Sequence, residues 1–177
     1  MDLLSGSVLE AVEAGTADIG FTAGTVSTRG RLSFHSLLDD EFLAIGTPAG
    51  PLGQDRPYSW SELVEMPFIA MAQGTSVREL LDGACARIGR PLSPRFEVAH
   101  LATAGALVAE GLGVTALPSL TLPILRMQSL VLRSIPDFGA RRRIGLVWRS
   151  GRSLSPAAQA FLAHVRSAGL ADKGVSG

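Results

Sequence analysis

The stretch "AHLATAGALVAEGLGVTALPS", residues 99–119, decides the fold. Small and apolar residues at helical spacing pass through two glycines and become the apolar run "VTALP". Leu107 and Val108 fall on one side of the predicted helix, which Thr103 is expected to cap. Gly111 stands where a helix stops on a residue that tolerates a left-handed backbone, and Gly113 allows the following strand to pack closely. A helix feeding a buried strand is half of a strand–helix–strand crossover.

Working outward, the same alternation recurs. "GSVLEAVEAG" places Val8, Leu9 and Val12 at helical spacing and closes on Gly15, and "ADIGFTAG" reads as a short buried strand. "RLSFHSLLDDEFLAIG" reads as two extended pieces, the second spanning Glu41 to Gly46, with Asp39 and Asp40 in a polar turn before it. Ser59 or Ser61 caps a short helix before the strand "PFIAMA", and "TSVRELLDGACARIG" is an amphipathic helix with Val77, Leu80, Leu81 and Ala84 on one face. "RFEVAH", "LVLRSI" and "RRIGLVWR" are further strands, and a closing helix starts with Ser155 as cap and Pro156 in the first turn. Strands separated by helices predict an α/β fold with parallel sheets and right-handed crossovers.

Composition narrows the function. The 177 residues are 46% hydrophobic, with 16 basic and 16 acidic side chains. Zero net charge gives this segment no electrostatic footprint for a polyanion, so it is not read as a nucleic-acid binder in itself. No apolar run reaches the roughly 20 residues of a membrane helix, and the start lacks the order of a secretory signal, so the chain is read as cytoplasmic, without a membrane partner. Cys85, the single cysteine, makes neither a disulfide nor a metal cluster, and it reads as a small core residue.

Three predicted strands end in similar loops. "ADIGF" leads into Thr22, Ala23 and Gly24; "FIAMA" leads into Gln73, Gly74, Thr75 and Ser76; "RFEVA" leads into His100 and Thr103. Open α/β sheets bind ligands at the carboxyl ends of their strands, and the last two loops also open helices, whose amides and dipole favour anions. The chemistry suits a small carboxylate. Thr75 and Ser76 also fit plain helix capping, and Thr22 a plain turn.

Catalysis would draw on His35, His100, His164, Cys85, Asp39 and Asp40. His164 falls on a solvated helix face, and no triad, phosphate loop or metal spacing appears, so no enzyme, cofactor or metal is expected. The arginines of "GARRRIGLVWRSGR" alternate along a strand and read as its solvated face.

In order along the chain, "VLEAVEAGTADIGFTAG", "LLDDEFLAIGTPAGPLG", "LVEMPFIAMAQGTSVRELLD", "VAEGLGVTALPS" and "IGLVWRSGRSLSPAAQAFLAHV" resemble the effector-binding half of LysR-type transcriptional regulators. The resemblance implies two Rossmann-like lobes like those of type 2 periplasmic binding proteins, joined by two crossing strands, with a small-molecule effector in the cleft between them. Lobe one would hold residues 1–67 and 139–177, and lobe two residues 68–138. Thr22 in one loop and Thr75 with Ser76 in the other match the positions that contact the effector in the family. Gly113 and Pro118 are expected to be structural.

The resemblance also implies a winged helix-turn-helix, a linker helix and a strand–helix–strand ahead of "SGSVLEAVEAG". DNA binding would belong to that preceding domain, and lobe one is expected to be incomplete, deformed or completed by another chain at its open edge. Self-association as a dimer or higher oligomer is expected of the full regulator. A stand-alone solute-binding module of a transport system is the other reading of the same pattern.

Overall fold

Glycine and capping residues set the element boundaries. A computed structural model describes residues 5–23, 31–125, 129–137 and 141–167. The helices are α1 (Ser5–Ala14), α2 (Trp60–Leu63), α3 (Ser76–Arg87), α4 (Leu101–Ala109) and α5 (Pro156–Ser167). The strands are β1 (Ile19–Ala23), β2 (Leu32–Gly46), β3 (Ile69–Met71), β4 (Phe96–Val98), β5 (Thr115–Pro118), β6 (Val131–Ser134) and β7 (Arg141–Arg149), with a 3-10 helix at Ser119–Ile124. Gly15 and Gly111 follow α1 and α4 at φ +78° and +71°, the left-handed conformation expected of a residue just past a helix. Ser59 makes a capping box with Glu62, and Ser155 Oγ accepts the Ala158 amide at 3.3 Å at the start of α5. No described helix is long and apolar enough to cross a membrane.

The chain forms two compact units, Met1–Asp39 with Arg142–Gly177, and Asp40–Arg141. It passes between them within β2 and again at the start of β7.

In the first unit β7 lies between β1 and β2, antiparallel to β1 with Ile19 opposite Trp148 and Thr22 opposite Gly145. One sheet face packs Val12 of α1 with Leu32 and Val147, and the other packs Leu162 and Val165 of α5 with Leu37 and Leu146. The alternation of Leu146 and Val147 to opposite faces is the period-two signature of a strand covered on both sides.

In the second unit Phe42–Ile45 of β2 pairs antiparallel with β5, while Leu43–Gly46 pairs antiparallel with β6. β3 and β4 are parallel, and a parallel bridge from Phe68 to Val114 joins β3 to the start of β5. The Ile69 amide donates to the Val114 carbonyl at 2.8 Å, and the Thr115 hydroxyl to the Ile69 carbonyl at 2.8 Å. The close approach expected at Gly113 is real: a Cβ there would strike the Pro67 carbonyl oxygen. Beneath this sheet lies a core of Phe42, Tyr58, Trp60, Leu63, Phe68 and Leu81, each at most 2% exposed and each contributing about 1.5–3 kcal/mol by burial.

Two expectations are corrected. "RLSFHSLLDDEFLAIG" is one 15-residue strand, not two pieces around a turn, because the buried Asp40 within it has its polar partners elsewhere. Pairing is parallel for β3 with β4 and at the Phe68–Val114 bridge, but antiparallel where β1 meets β7 and where β2 meets β5 and β6; alternation along the chain does not specify strand direction. The first boundary between the two compact units falls between Asp39 and Asp40, and Tyr58, Trp60 and Leu63 share one core with Phe68 and Leu117. The return expected at 139 lies outside the described residues, and the second division falls between Arg141 and Arg142.

Candidate functional site

Parallel pairing makes β3 and β4 end together, at Met71 and Val98, so loop 72–75 and loop 99–100 leave the same end of the second unit. The Ala72 amide donates to the Val98 carbonyl at 2.8 Å, extending the ladder one residue into the first loop. This brings Gln73, Gly74, Thr75 and Ser76 to one strand end beside that of His100.

Gly74 turns the first loop at φ +81°, where a side chain is strained. Thr75 is the N-cap of α3, extended at φ −87° and ψ 145°. Its hydroxyl accepts the Arg78 amide at 3.1 Å and donates to the Ala72 carbonyl at 2.9 Å. The hydroxyl proton is therefore committed, and an anion at this point would meet the positive end of the helix dipole. Ser76 is the first residue of α3, and Gln73 is exposed.

His100 is the N-cap of α4; its exposed imidazole makes no capping bond, while its carbonyl accepts the Thr103 and Ala104 amides at 3.1 Å. Thr103 is not the cap. It is the third residue of α4, exposed, because only two residues separate β4 from the helix and the helix has begun by Leu101.

In the first unit, Thr22 and Ala23 are the last two residues of β1. Thr22 is 5% exposed, and its Oγ1 has no hydrogen-bond partner among the described residues. It lies two residues from Gly20, where a Cβ would press into Val8 and Val12, so its side chain shares the face that α1 covers. Gly24 lies outside the described residues.

Two charges are buried in the second unit: Arg78, which the sequence pattern did not single out, and Asp40, which it placed in a turn. Arg78, on α3, has a side chain only 7% exposed that pairs with Asp82 at 2.8 Å and Glu97 at 2.6 Å. Hydrogen bonding to Asp82 first, and then to Glu97, holds its pKa above the ordinary value against the opposing effect of burial. The spacing of Arg78 and Asp82 was a visible helical ion pair, whereas Glu97 is supplied by β4. Asp40, 1% exposed in β2, accepts the Ser119 hydroxyl at 3.0 Å and the Leu120 amide at 3.1 Å. A groove of about 400 Å³ runs beside α3, bordered by Gln73, Arg78, Asp82, Cys85 and Leu92; of the effector-binding candidates Gln73 alone borders it.

The other singled-out residues are dispersed. Cys85 is buried on α3, where burial pushes its thiol pKa up. His164 is on the exposed side of α5, and His35 lies in β2 with Nε2 unpartnered among the described residues. Arg141 and Arg143 occupy the solvated face of β7, Arg141 paired with Glu41. Among the described residues no three His, Cys, Asp or Glu side chains converge as metal ligands.

The model of the LysR substrate binding domain family matches residues 2–169. The chain is 30% identical over 155 residues to the uncharacterized HTH-type transcriptional regulator YbhD of Escherichia coli K12, covering 88% of this chain and 49% of that protein. It therefore spans about half the length of this curated relative. The regulatory domain of CcmR from Synechocystis PCC6803, solved in complex with 2-PG, superposes with a TM-score of 0.81 at 20% identity over 93% of this chain and 79% of that one. The effector-binding domain of QuiR in complex with shikimate does so with a TM-score of 0.78 at 19% identity over 94% and 78%. These likenesses give the fold as that of the type 2 periplasmic binding proteins, the class expected from the sequence. With 168 consecutive residues matched, the chain belongs to the LysR substrate-binding domain family.

Proposed function

We propose that this chain is the ligand-sensing domain of a bacterial LysR-type transcriptional regulator and that it takes a small organic anion at the start of α3. The observation that carries the reading is the twelve-residue α3, which opens one short loop, residues 72–75, after the end of β3 in a chain whose family match spans residues 2–169. Its first turn offers amides and a positive dipole end to an anion, and His100 at the neighbouring strand end offers a further hydrogen-bonding group. The relatives' small ligands, 2-PG and shikimate, suggest the size and acidity of the molecule. In the whole regulator, a separate helix-turn-helix would contact DNA, the domain would self-associate in the cytoplasm, and occupancy would shift the population of its conformations. Relatives named as transcriptional regulators support this over a transport module of similar fold.

The test is a thermal-shift screen with shikimate, 2-PG, benzoate and amino acids, on the natural chain and two cap variants. A ligand at 100 times its Kd adds about 2.7 kcal/mol of stability. Thr75→Asn retains an N-cap, and Thr75→Asp retains it while placing a fixed carboxylate where the anion would sit. Binding kept by Asn and lost in Asp supports the reading. An acid that binds all three equally is bound elsewhere, and no binding across the panel counts against the proposed ligand class.

A further inference from the structure

We infer that Arg78 is a positioning residue, which joins the two strand-end loops of the second unit into one preformed site without itself touching the ligand. The inference rests on the proposed role of the α3 start and adds what holds it in place. Four bonds fan out from this single residue. Its backbone amide donates to the capping hydroxyl of Thr75 at 3.1 Å, and that hydroxyl donates to the carbonyl of Ala72. Its Nη1 donates to the carbonyl of Met71, the last residue of β3, at 3.2 Å and to Glu97 Oε2 in β4 at 2.6 Å. Nε donates to Asp82 one turn along α3 at 2.8 Å, which fixes the guanidinium plane from its own helix. The loop carrying Gln73 and Gly74 is therefore clamped at both ends, and the strand leading to His100 is tied to the same group.

The charge arrangement separates this role from direct anion binding. One guanidinium faces two carboxylates and is almost fully buried, so the cluster presents no surplus positive charge. Its effect passes through the backbone: it fixes where the Ala72 carbonyl, the Thr75 cap and the end of β4 stand. A lysine has the charge without the planar fork and cannot serve three acceptors in this geometry.

Amide hydrogen exchange on the whole ligand-free chain tests the inference. Arg78→Met is expected to speed exchange at Ala72, Thr75 and position 78 by about tenfold or more while Ala116, paired within β5 to Ala44, keeps its protection; Arg78→Lys is expected to fall between. If Arg78→Met does not fold, Glu97→Gln supplies the reading, with a smaller increase of about threefold confined to Ala72 and the end of β4. Exchange within about twofold of the natural chain at these amides, or an equal increase at Ala116, overturns the inference, the second result marking a global loss of stability only. Because no ligand is used, a panel of acids that fails to bind removes the proposed function and leaves the exchange result intact.

Discussion

The buried carboxylate of Asp40 accepts the Ser119 hydroxyl at 3.0 Å and the Leu120 amide at 3.1 Å. The β2–β5 register places Phe42 opposite Pro118, so Asp40 stands where residue 120 would pair if β5 continued. β5 instead turns into the 3-10 helix, and a side chain replaces the next rung of the ladder. Asp40→Ala leaves both donors without this acceptor and is expected to cost about 2–3 kcal/mol, whereas Asp40→Asn retains an oxygen and costs about 1 kcal/mol. Urea denaturation of the two variants checks the difference.

Two glycines have opposite expected signs. Gly113→Ala drives a methyl group into the Pro67 carbonyl, backbone that cannot swing aside, and is expected to destabilise by about 1–3 kcal/mol. Gly83 lies exposed within α3 with nothing within 4 Å of an added Cβ, so Gly83→Ala is expected to stabilise by about 0.5–1 kcal/mol. Thermal melts of both variants beside the natural chain report the signs directly.

Glu62 links the α2 cap to pH. Its hydrogen bond with Arg56, and then those with the Ser59 amide and hydroxyl, lower its pKa from 4.5 to about 2. The unfolded chain therefore binds more protons between these values, and the stabilisation is complete above pH 4.5 and lost as pH falls toward 2. Glu62→Gln retains an acceptor without the charge. The gap in urea midpoint between natural chain and variant is expected to be constant from pH 5 to 7 and to close on acidification through that window.

Cys85 sits under the α3 surface with its thiolate disfavoured by burial. Its reaction with a disulfide reagent at pH 8 is expected to be at least about tenfold slower than in the urea-unfolded chain. Equal rates would place the thiol at the surface.

Much of the local architecture was legible because its causes are local. The glycine after α4, the serine caps of α2 and α5, and the apolar face of Val77, Leu81 and Ala84 depend on residues within a few positions of one another. Asp40 was misread for the opposite reason: its partners are 79 and 80 residues away, so two adjacent aspartates looked like a turn. Strand direction was equally invisible, since it follows from tertiary pairing. Near the start of α3, the end of β3 and the Thr75 cap were readable from the local sequence pattern. The Thr103 cap was misplaced by three residues, and Arg78 was passed over because one of its two carboxylates arrives from β4.

The most direct test of the central claim is a chemical-shift map of the 15N-labelled chain titrated with the acid that most raises its Tm. The account predicts saturable shifts centred on the amides of Gly74, Thr75, Ser76 and Val77, with smaller ones at His100 and Leu101. Saturable shifts that leave the start of α3 unmoved and gather elsewhere would contradict it.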